Sequence, residues 1–170
     1  MLIRKGFKFR LKTDAKAENA LARFAGSCRF VWNKALALQK ERLELGEYCL
    51  CYGKLNTELQ AWKKDDETAW LKETHSQPLQ QALMSLDRAI QDAFDKKSPK
   101  RFPRFKKKGQ HDSFRYPQGF KIEGNRIFLP KIGWLGFNKS RELVGTPKNV
   151  TVSKRGKHWY ASVQCEYEVA

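Results

Sequence analysis

The chain has 170 residues, of which 41% are hydrophobic and 31% charged, a mixture that builds a folded core and excludes a disordered tail. Lysine and arginine number 34 against 18 aspartates and glutamates, a formal net charge of +16, which predicts a polyanionic partner such as nucleic acid. No apolar run approaches the roughly 20 residues that cross a bilayer, and the N-terminus lacks a signal-peptide core, so we expect a cytoplasmic protein with no membrane partner.

The N-terminal residues alternate between apolar and basic side chains. This period-two pattern predicts a half-buried strand over residues 3–11 with a basic outer face. A single strand is not stable alone, and the next strand-forming segments lie about a hundred residues later. The apolar side consists of Ile3, Phe7, Phe9 and Leu11, and the basic side of Arg4, Lys8 and Arg10.

A helical region follows this strand. Asp14 is a suitable N-cap for a first helix, and Gly26-Ser27 predicts an interruption before a second helix. Residues 53–63 predict a short third helix. Ser76 is a suitable cap for a fourth, in which apolar residues recur at three- and four-residue spacing.

The pattern changes after residue 95. Residues 96–112 are basic and contain prolines, which predicts an extended connection, and short strands dominate from residue 113 onward. Because the N-terminal strand needs these later strands as partners, we expect an α+β fold with a small antiparallel, OB-like β-barrel. The predicted domains are a barrel of residues 1–13 and 113–170, an inserted helical lobe of residues 14–95 and a basic connecting segment of residues 96–112.

Positive charge is concentrated in one part of the chain. Eight of the thirteen residues 96–108 are basic, and residues 96–131 carry 12 basic residues against two acidic ones. Phe102 and Phe105 punctuate the run, and aromatic rings among cations suit base stacking or docking onto the barrel. The alternatives are a solvated linker or an anionic membrane surface, although the run has no amphipathic helical pattern. Phosphate-backbone contacts are predicted for Lys8, Arg10, Lys96, Lys97, Lys100, Arg101, Arg104, Lys106, Lys107, Lys108, Arg115, Lys121 and Arg126.

Residues suited to catalysis or metal binding form no recognised motif. None of the four cysteines has Cys-x-x-Cys spacing, so we expect reduced, buried thiols, with Cys49-x-Cys51 and His75 as the weaker, metal-binding alternative. Glu166 and Glu168 are two residues apart, and a solvated strand face is a better interpretation than a two-metal centre. We therefore predict no catalytic residue and no metal ligand.

Four short motifs occur in order along the chain and together resemble the N-terminal half of insertion-sequence TnpB (OrfB) proteins. The resemblance implies a wedge barrel with an inserted recognition lobe, which has been described as a helix-turn-helix. It also implies a bacterial transposon protein of the cytosol or nucleoid, whose partners are a guide RNA and double-stranded target DNA beside a short adjacent motif. The motifs are Gly26-Ser27-Cys28-Arg29-Phe30-Val31-Trp32-Asn33, Phe102-Pro103-Arg104-Phe105-Lys106-Lys107, Leu129-Pro130-Lys131-Ile132-Gly133-Trp134 and Trp159-Tyr160-Ala161-Ser162-Val163.

The same resemblance implies candidate readers of the DNA motif. By position these are Tyr52, Asn56 and Gln80, since amide side chains suit adenine edges and a tyrosine can stack or donate. The alternative is that all three are ordinary surface residues of helices.

Family members continue into a RuvC-type nuclease domain with metal-binding carboxylates and zinc knuckles. Magnesium and zinc are therefore expected only in that part, beyond Ala170, and this chain is expected to bind without cutting and without a cofactor. The alternatives are a general basic RNA- or DNA-binding protein without a guide, or a truncated transposon protein that acts as a non-cutting binder.

Overall fold

The alternating N-terminal residues form the central strand of a sheet. In the computed structural model, which describes residues 1–170, strand β1 (Leu2–Lys12) buries Phe7, Phe9 and Leu11. The basic residues between them are exposed. The predicted half-buried strand with a basic outer face is confirmed.

Helices occupy the first half of the chain and strands the second, so the predicted α+β class is confirmed. The helices are α1 (Ala15–Glu44), α2 (Tyr52–Lys64) and α3 (Ser76–Phe94), with a 3₁₀ helix at Ala69–Glu73 between α2 and α3. The later strands are β2 (Ser113–Tyr116), β3 (Lys121–Glu123), β4 (Arg126–Leu129), β5 (Gly133–Phe137), β6 (Thr146–Arg155) and β7 (His158–Glu168).

The seven strands form one antiparallel sheet in the order β2-β6-β7-β1-β5-β4-β3. Its edges, β2 and β3, are joined by residues 117–120 alone. In a flat sheet the edges would lie about 29 Å apart, whereas this link reaches at most about 17 Å. The sheet must therefore curl. Its two edges are not paired, so the predicted small antiparallel barrel is an open one.

Helix α1 runs without a break through the predicted interruption at Gly26-Ser27. Apolar side chains remain buried on both sides of this point, with Phe24 4% exposed and Val31 fully buried, and Ser27 is itself buried. A glycine inside a helix costs only about 1 kcal/mol, which this burial exceeds. The prediction of two separate helices was wrong.

Capping residues were predicted correctly at one helix and wrongly at another. The Asp14 carboxylate accepts a hydrogen bond from the Ala17 N–H at 2.7 Å, as expected for an N-cap of α1. At α3 the N-cap is His75 rather than Ser76, and His75 Nδ1 accepts from the Gln77 N–H at 3.3 Å. The cap was misplaced by one residue because an imidazole nitrogen can replace a hydroxyl as acceptor.

The chain forms two compact units, residues 1–25 with 111–170, and residues 26–110. In the first unit Phe24 packs against Phe114 of β2, with ring centroids 5.7 Å apart. In the second, leucines from α1, α2, the 3₁₀ helix and α3 build the core. None of the helices is both long and apolar enough to cross a membrane. The predicted domains stay a prediction. The core leucines of the second unit are Leu36, Leu55, Leu59, Leu71, Leu79, Leu83 and Leu86.

Candidate nucleic-acid interface

The basic segment, defined as residues 96–108, is held along helix α1 by two adjacent side chains. Trp32 donates its indole N–H to the Arg104 carbonyl at 2.9 Å. The Asn33 amide accepts from the Lys106 N–H at 2.8 Å and donates to the Lys106 carbonyl at 3.0 Å. A side-chain amide that pairs with both the N–H and the C=O of one residue makes the hydrogen bonds that a neighbouring strand would otherwise make. The basic segment is therefore fixed although it has no secondary structure of its own.

Cation–π contacts reinforce this docking. Lys106 Nζ lies 4.1 Å from the Trp32 ring centroid, and Lys40 Nζ of α1 lies 4.7 Å from the Phe105 ring centroid. Loss of hydration against the helix lowers the pKa of Lys106. The Lys106 ammonium thus packs on the Trp32 ring, a contact that is not seen for Lys107 and Lys108.

The start of the basic segment is tied to α3. Lys100 Nζ lies 3.0 Å from an Asp92 carboxylate oxygen, and the Phe102 ring lies 6.0 Å from the Phe94 ring. Because α3 holds residues 100–102 and α1 holds residues 104–106, the cationic side chains of the segment extend from an ordered backbone. The exposed basic residues along it are Lys96, Lys97, Lys100, Arg101, Arg104, Lys106, Lys107 and Lys108.

A second group of predicted phosphate ligands lies on the outer face of the sheet. Lys8 of β1 is opposite Ser162 of β7, Ser162 is opposite Thr151 of β6, and Thr151 is opposite Arg115 of β2. Since opposite residues of an antiparallel pair share a face, the structure brings Lys8 and Arg115 into one row with two hydroxyls between them. Arg10 occupies the next exposed position of β1, opposite Tyr160.

The remaining two predicted ligands, Lys121 and Arg126, are exposed on β3 and β4. Arg126 lies 3.6 Å from the Glu123 carboxylate across the hairpin turn. The predicted basic residues thus divide between the two units of the chain: five belong to residues 1–25 and 111–170, and eight to residues 26–110.

The candidate motif readers all belong to the second unit and are half-buried. Tyr52 and Asn56 are one turn apart on α2 and share a face, whereas Gln80 lies on α3. The Tyr52 N–H donates to Asp87 of α3 at 3.2 Å, and burial raises the pKa of the Tyr52 hydroxyl. The phenol therefore remains a donor at neutral pH. Their role in reading bases stays a prediction.

The acidic residues considered for catalysis have partners. Glu166 accepts from Arg4 at 2.9 Å, and Glu168 lies 3.4 Å from the N-terminal amine. The residues 1–170 contain no cluster of three or more His, Cys, Asp or Glu that could hold a metal ion. Of the cysteines, Cys28 and Cys165 are buried, whereas Cys49 is half-buried and Cys51 exposed, so the expectation of buried thiols holds for two of the four.

Sequence reasoning assigned no role to Trp32 and Asn33, although both lie in one of the quoted motifs. The available signal was an amide on a helix beside a buried tryptophan. That signal does not identify the partner of the amide, Lys106, which lies 73 residues later in the chain, because the pairing is set by the tertiary fold.

Comparison with known proteins supplies the family. The helix-turn-helix domain family of the IS605 OrfB proteins matches residues 1–47. InsQ of Escherichia coli (strain K12), a candidate RNA-guided DNA endonuclease, is 51% identical over 166 residues, which are 96% of this chain and 41% of InsQ. The chain belongs to the TnpB/OrfB family. Its likeness to TnpB, first suggested by the four motifs, is therefore confirmed.

Two further relatives define how the chain aligns with this family. A candidate RNA-guided DNA endonuclease of Streptomyces pristinaespiralis is 34% identical over 171 residues, covering 96% of this chain and 42% of that protein. Virulence protein VsdF of Salmonella dublin is 37% identical over 103 residues, 56% of this chain and 86% of VsdF. The chain thus spans about two fifths of the length of the two TnpB-like endonuclease relatives.

The family's helix-turn-helix description differs from the geometry of the matched residues. Residues 1–47 of this TnpB-family chain form β1 and the single helix α1, and the helix continues to Glu44. No turn separates two helices within the match.

Proposed function

We propose that this chain is the nucleic-acid-binding part of a TnpB-like RNA-guided DNA endonuclease, holding a guide RNA and the double-stranded target DNA. The observation that carries the proposal is the docking of the basic segment on α1 through Trp32 and Asn33. A segment whose backbone is already ordered loses less conformational entropy when its cationic side chains bind phosphates than a mobile linker does. The proposal thus favours a preformed phosphate-binding surface over a solvated linker.

The test compares two RNAs of equal length. One is transcribed from the end of the insertion sequence that carries this gene, and the other is unrelated in sequence. Each competes with the labelled transposon-end RNA for the chain in a filter-binding assay. We expect the cognate RNA to compete at least about tenfold better, a difference of about 1.4 kcal/mol. Equal competition would instead identify a general basic RNA-binding protein without a guide.

We further propose that Tyr52, Asn56 and Gln80 contact base edges of the target-adjacent motif. Gln80→Ala should weaken binding only to DNA that carries the motif, by about 1–3 kcal/mol, while affinity for RNA is unchanged. Gel-shift titrations with motif and scrambled duplexes measure both. An equal loss for the two duplexes would show that Gln80 does not read sequence.

We also propose that residues 1–170 bind without cutting and hold no cofactor. The pairing of Glu166 with Arg4 and of Glu168 with the N-terminal amine supports this, since a cation beside each carboxylate opposes the approach of a metal ion. Incubation with transposon-end RNA, matching target DNA and Mg²⁺ should leave the DNA intact on a denaturing gel. Specific cut products would contradict this part of the proposal.

A further inference from the structure

A row of one half-buried and one exposed aromatic side chain, Phe128 and Trp134, crosses the β3-β4-β5 part of the sheet. Lys121 of β3 is opposite Phe128 of β4, and Phe128 is opposite Trp134 of β5. The Phe128 and Trp134 ring centroids lie 5.5 Å apart, and Trp134 is 40% exposed. The opposite face of these strands is buried, with Ile127 and Leu135 at the alternate positions. Both rings therefore lie on the outer face of the sheet.

Basic side chains surround this row. The Arg126 guanidinium carbon lies 4.9 Å from the Trp134 ring centroid, and Lys121 Nζ lies 5.9 Å from the Phe128 ring centroid. The next position of β5 on the same face is Gly136. A Cβ added there would meet only the Lys12 side chain, nearest at Cδ, 3.5 Å away. Lys12 of β1 is opposite Gly136, so a third basic side chain packs against this part of the sheet.

Cross-strand packing alone does not explain an exposed indole at this position. Aromatic pairs do stabilise sheets through their contact, but burial of the ring contributes most of an aromatic side chain's stabilisation. Three of the five tryptophans in the chain are at most 9% exposed. Trp134 instead is 40% exposed, with the Arg126 guanidinium carbon 4.9 Å from its ring centroid. This combination of flat aromatic surface and positive charge is complementary to a base and its phosphate.

We propose that Phe128 and Trp134 form a stacking platform for an unpaired base of a bound RNA, with Arg126 and Lys121 contacting the neighbouring phosphates. The ligand is single-stranded RNA, because the bases of a duplex keep their faces covered by their neighbours. The platform would be one contact within the proposed RNA-binding function, so this inference rests on that proposed function.

The experiment uses the complete 170-residue chain and two probes, a 12-nucleotide single-stranded RNA of mixed sequence and a 12-base-pair RNA duplex. Affinities are measured by filter binding, and stacking is followed by quenching of tryptophan fluorescence. The variants are Trp134→Ala, Trp134→Leu and Trp134→Phe. The matched control is Trp70→Ala, which removes an indole of similar exposure, 42%, from the other unit.

Trp134→Ala should weaken binding of the single strand by about 5- to 100-fold, the range expected for one stacked base. Trp134→Phe should retain most of the affinity because it keeps a ring, whereas Trp134→Leu keeps the apolar packing and should lose it. Duplex affinity, and both affinities of Trp70→Ala, should be unchanged. The slope of affinity against salt should also stay constant, since stacking releases no counterions.

Trp134→Leu guards against misfolding as an explanation, because its circular dichroism and melting temperature can be matched to those of the unsubstituted chain. A folded Trp134→Leu variant that binds single-stranded RNA as tightly as the unsubstituted chain would overturn the platform while leaving the proposed function intact. Equal losses for strand and duplex would overturn it too. Failure of the unsubstituted chain to bind any RNA would overturn the proposed function and the platform with it.

Discussion

Asn33 is the residue on which the geometry of the basic segment most depends. Its side chain makes two hydrogen bonds to Lys106, one to the backbone N–H and one to the carbonyl. Each such bond contributes about 0.5–1.5 kcal/mol net, less where water competes. The attachment of Lys106 through Asn33 is thus weak enough to be removed by one substitution, while the other contacts of the segment remain.

Asn33→Ala should therefore free the Lys106 backbone from α1, while Trp32 still holds the Arg104 carbonyl, at a cost of about 1 kcal/mol in unfolding free energy. Native-state hydrogen exchange should show faster exchange of the Lys106 amide, and filter binding should show weaker affinity for RNA. The control, Asn19→Ala, removes an exposed amide from the same helix. Unchanged exchange at Lys106 would contradict the docking.

The cysteines differ in burial and therefore in the reactivity of their thiols. Burial raises the pKa of Cys28 to about 12, an effect only partly opposed by nearby Lys106. Since only the thiolate reacts with alkylating agents, about one Cys28 in 10⁴ is reactive at pH 8. Iodoacetamide followed by peptide mass spectrometry should label exposed Cys51 first and Cys28 far more slowly. Comparable labelling rates would contradict the burial of Cys28.

At the scale of elements, the continuity of α1 is the feature that departs most from expectation. A turn at Gly26-Ser27 and an uninterrupted helix make opposite predictions for a glycine substitution. In a helix, Gly26→Ala removes the backbone entropy cost of glycine, and its Cβ would meet only the flexible end of Arg29, at 3.4 Å.

Gly26→Ala should accordingly stabilise the chain by about 0.5–1 kcal/mol, measured by urea unfolding. Gly145→Ala is the contrasting variant, since Gly145 has φ +87° and its Cβ would collide with the Glu166 carbonyl group. It should destabilise the chain. Destabilisation by Gly26→Ala as well would indicate a turn at this position and contradict the single helix.

The elements that were predictable from the sequence are those whose pattern is local. Strands β1 and β7 show strict alternation, and Asp14 caps α1 through a contact three residues away. The Gly26-Ser27 interruption failed because burial on either side outweighs local propensity. The alternating pattern predicted the antiparallel strands but gave no information on whether the two edges of the barrel pair, because such pairing depends on contacts between distant strands. The partners of Trp32 and Asn33 were inaccessible for the same reason.

At the scale of the whole molecule, the dominant property is the surplus of positive charge. The net charge of +16 is carried largely by exposed residues, and many of them lie on the fixed basic segment and on the outer face of the sheet. If these residues contact phosphates, binding releases counterions, and affinity must fall steeply as salt rises. Membership of the TnpB/OrfB family agrees with such a role.

The salt dependence of RNA affinity tests this claim most directly. With six or more phosphate contacts, the slope of log K against log salt should be about −5 or steeper. Combining Arg104→Ala, Lys107→Ala and Lys108→Ala should flatten it by about three units. The same charge change at Lys16, Lys64 and Lys148, which are exposed elsewhere, should alter it less. A slope near zero, or one equally sensitive to both triple variants, would contradict a phosphate-binding role for the basic segment.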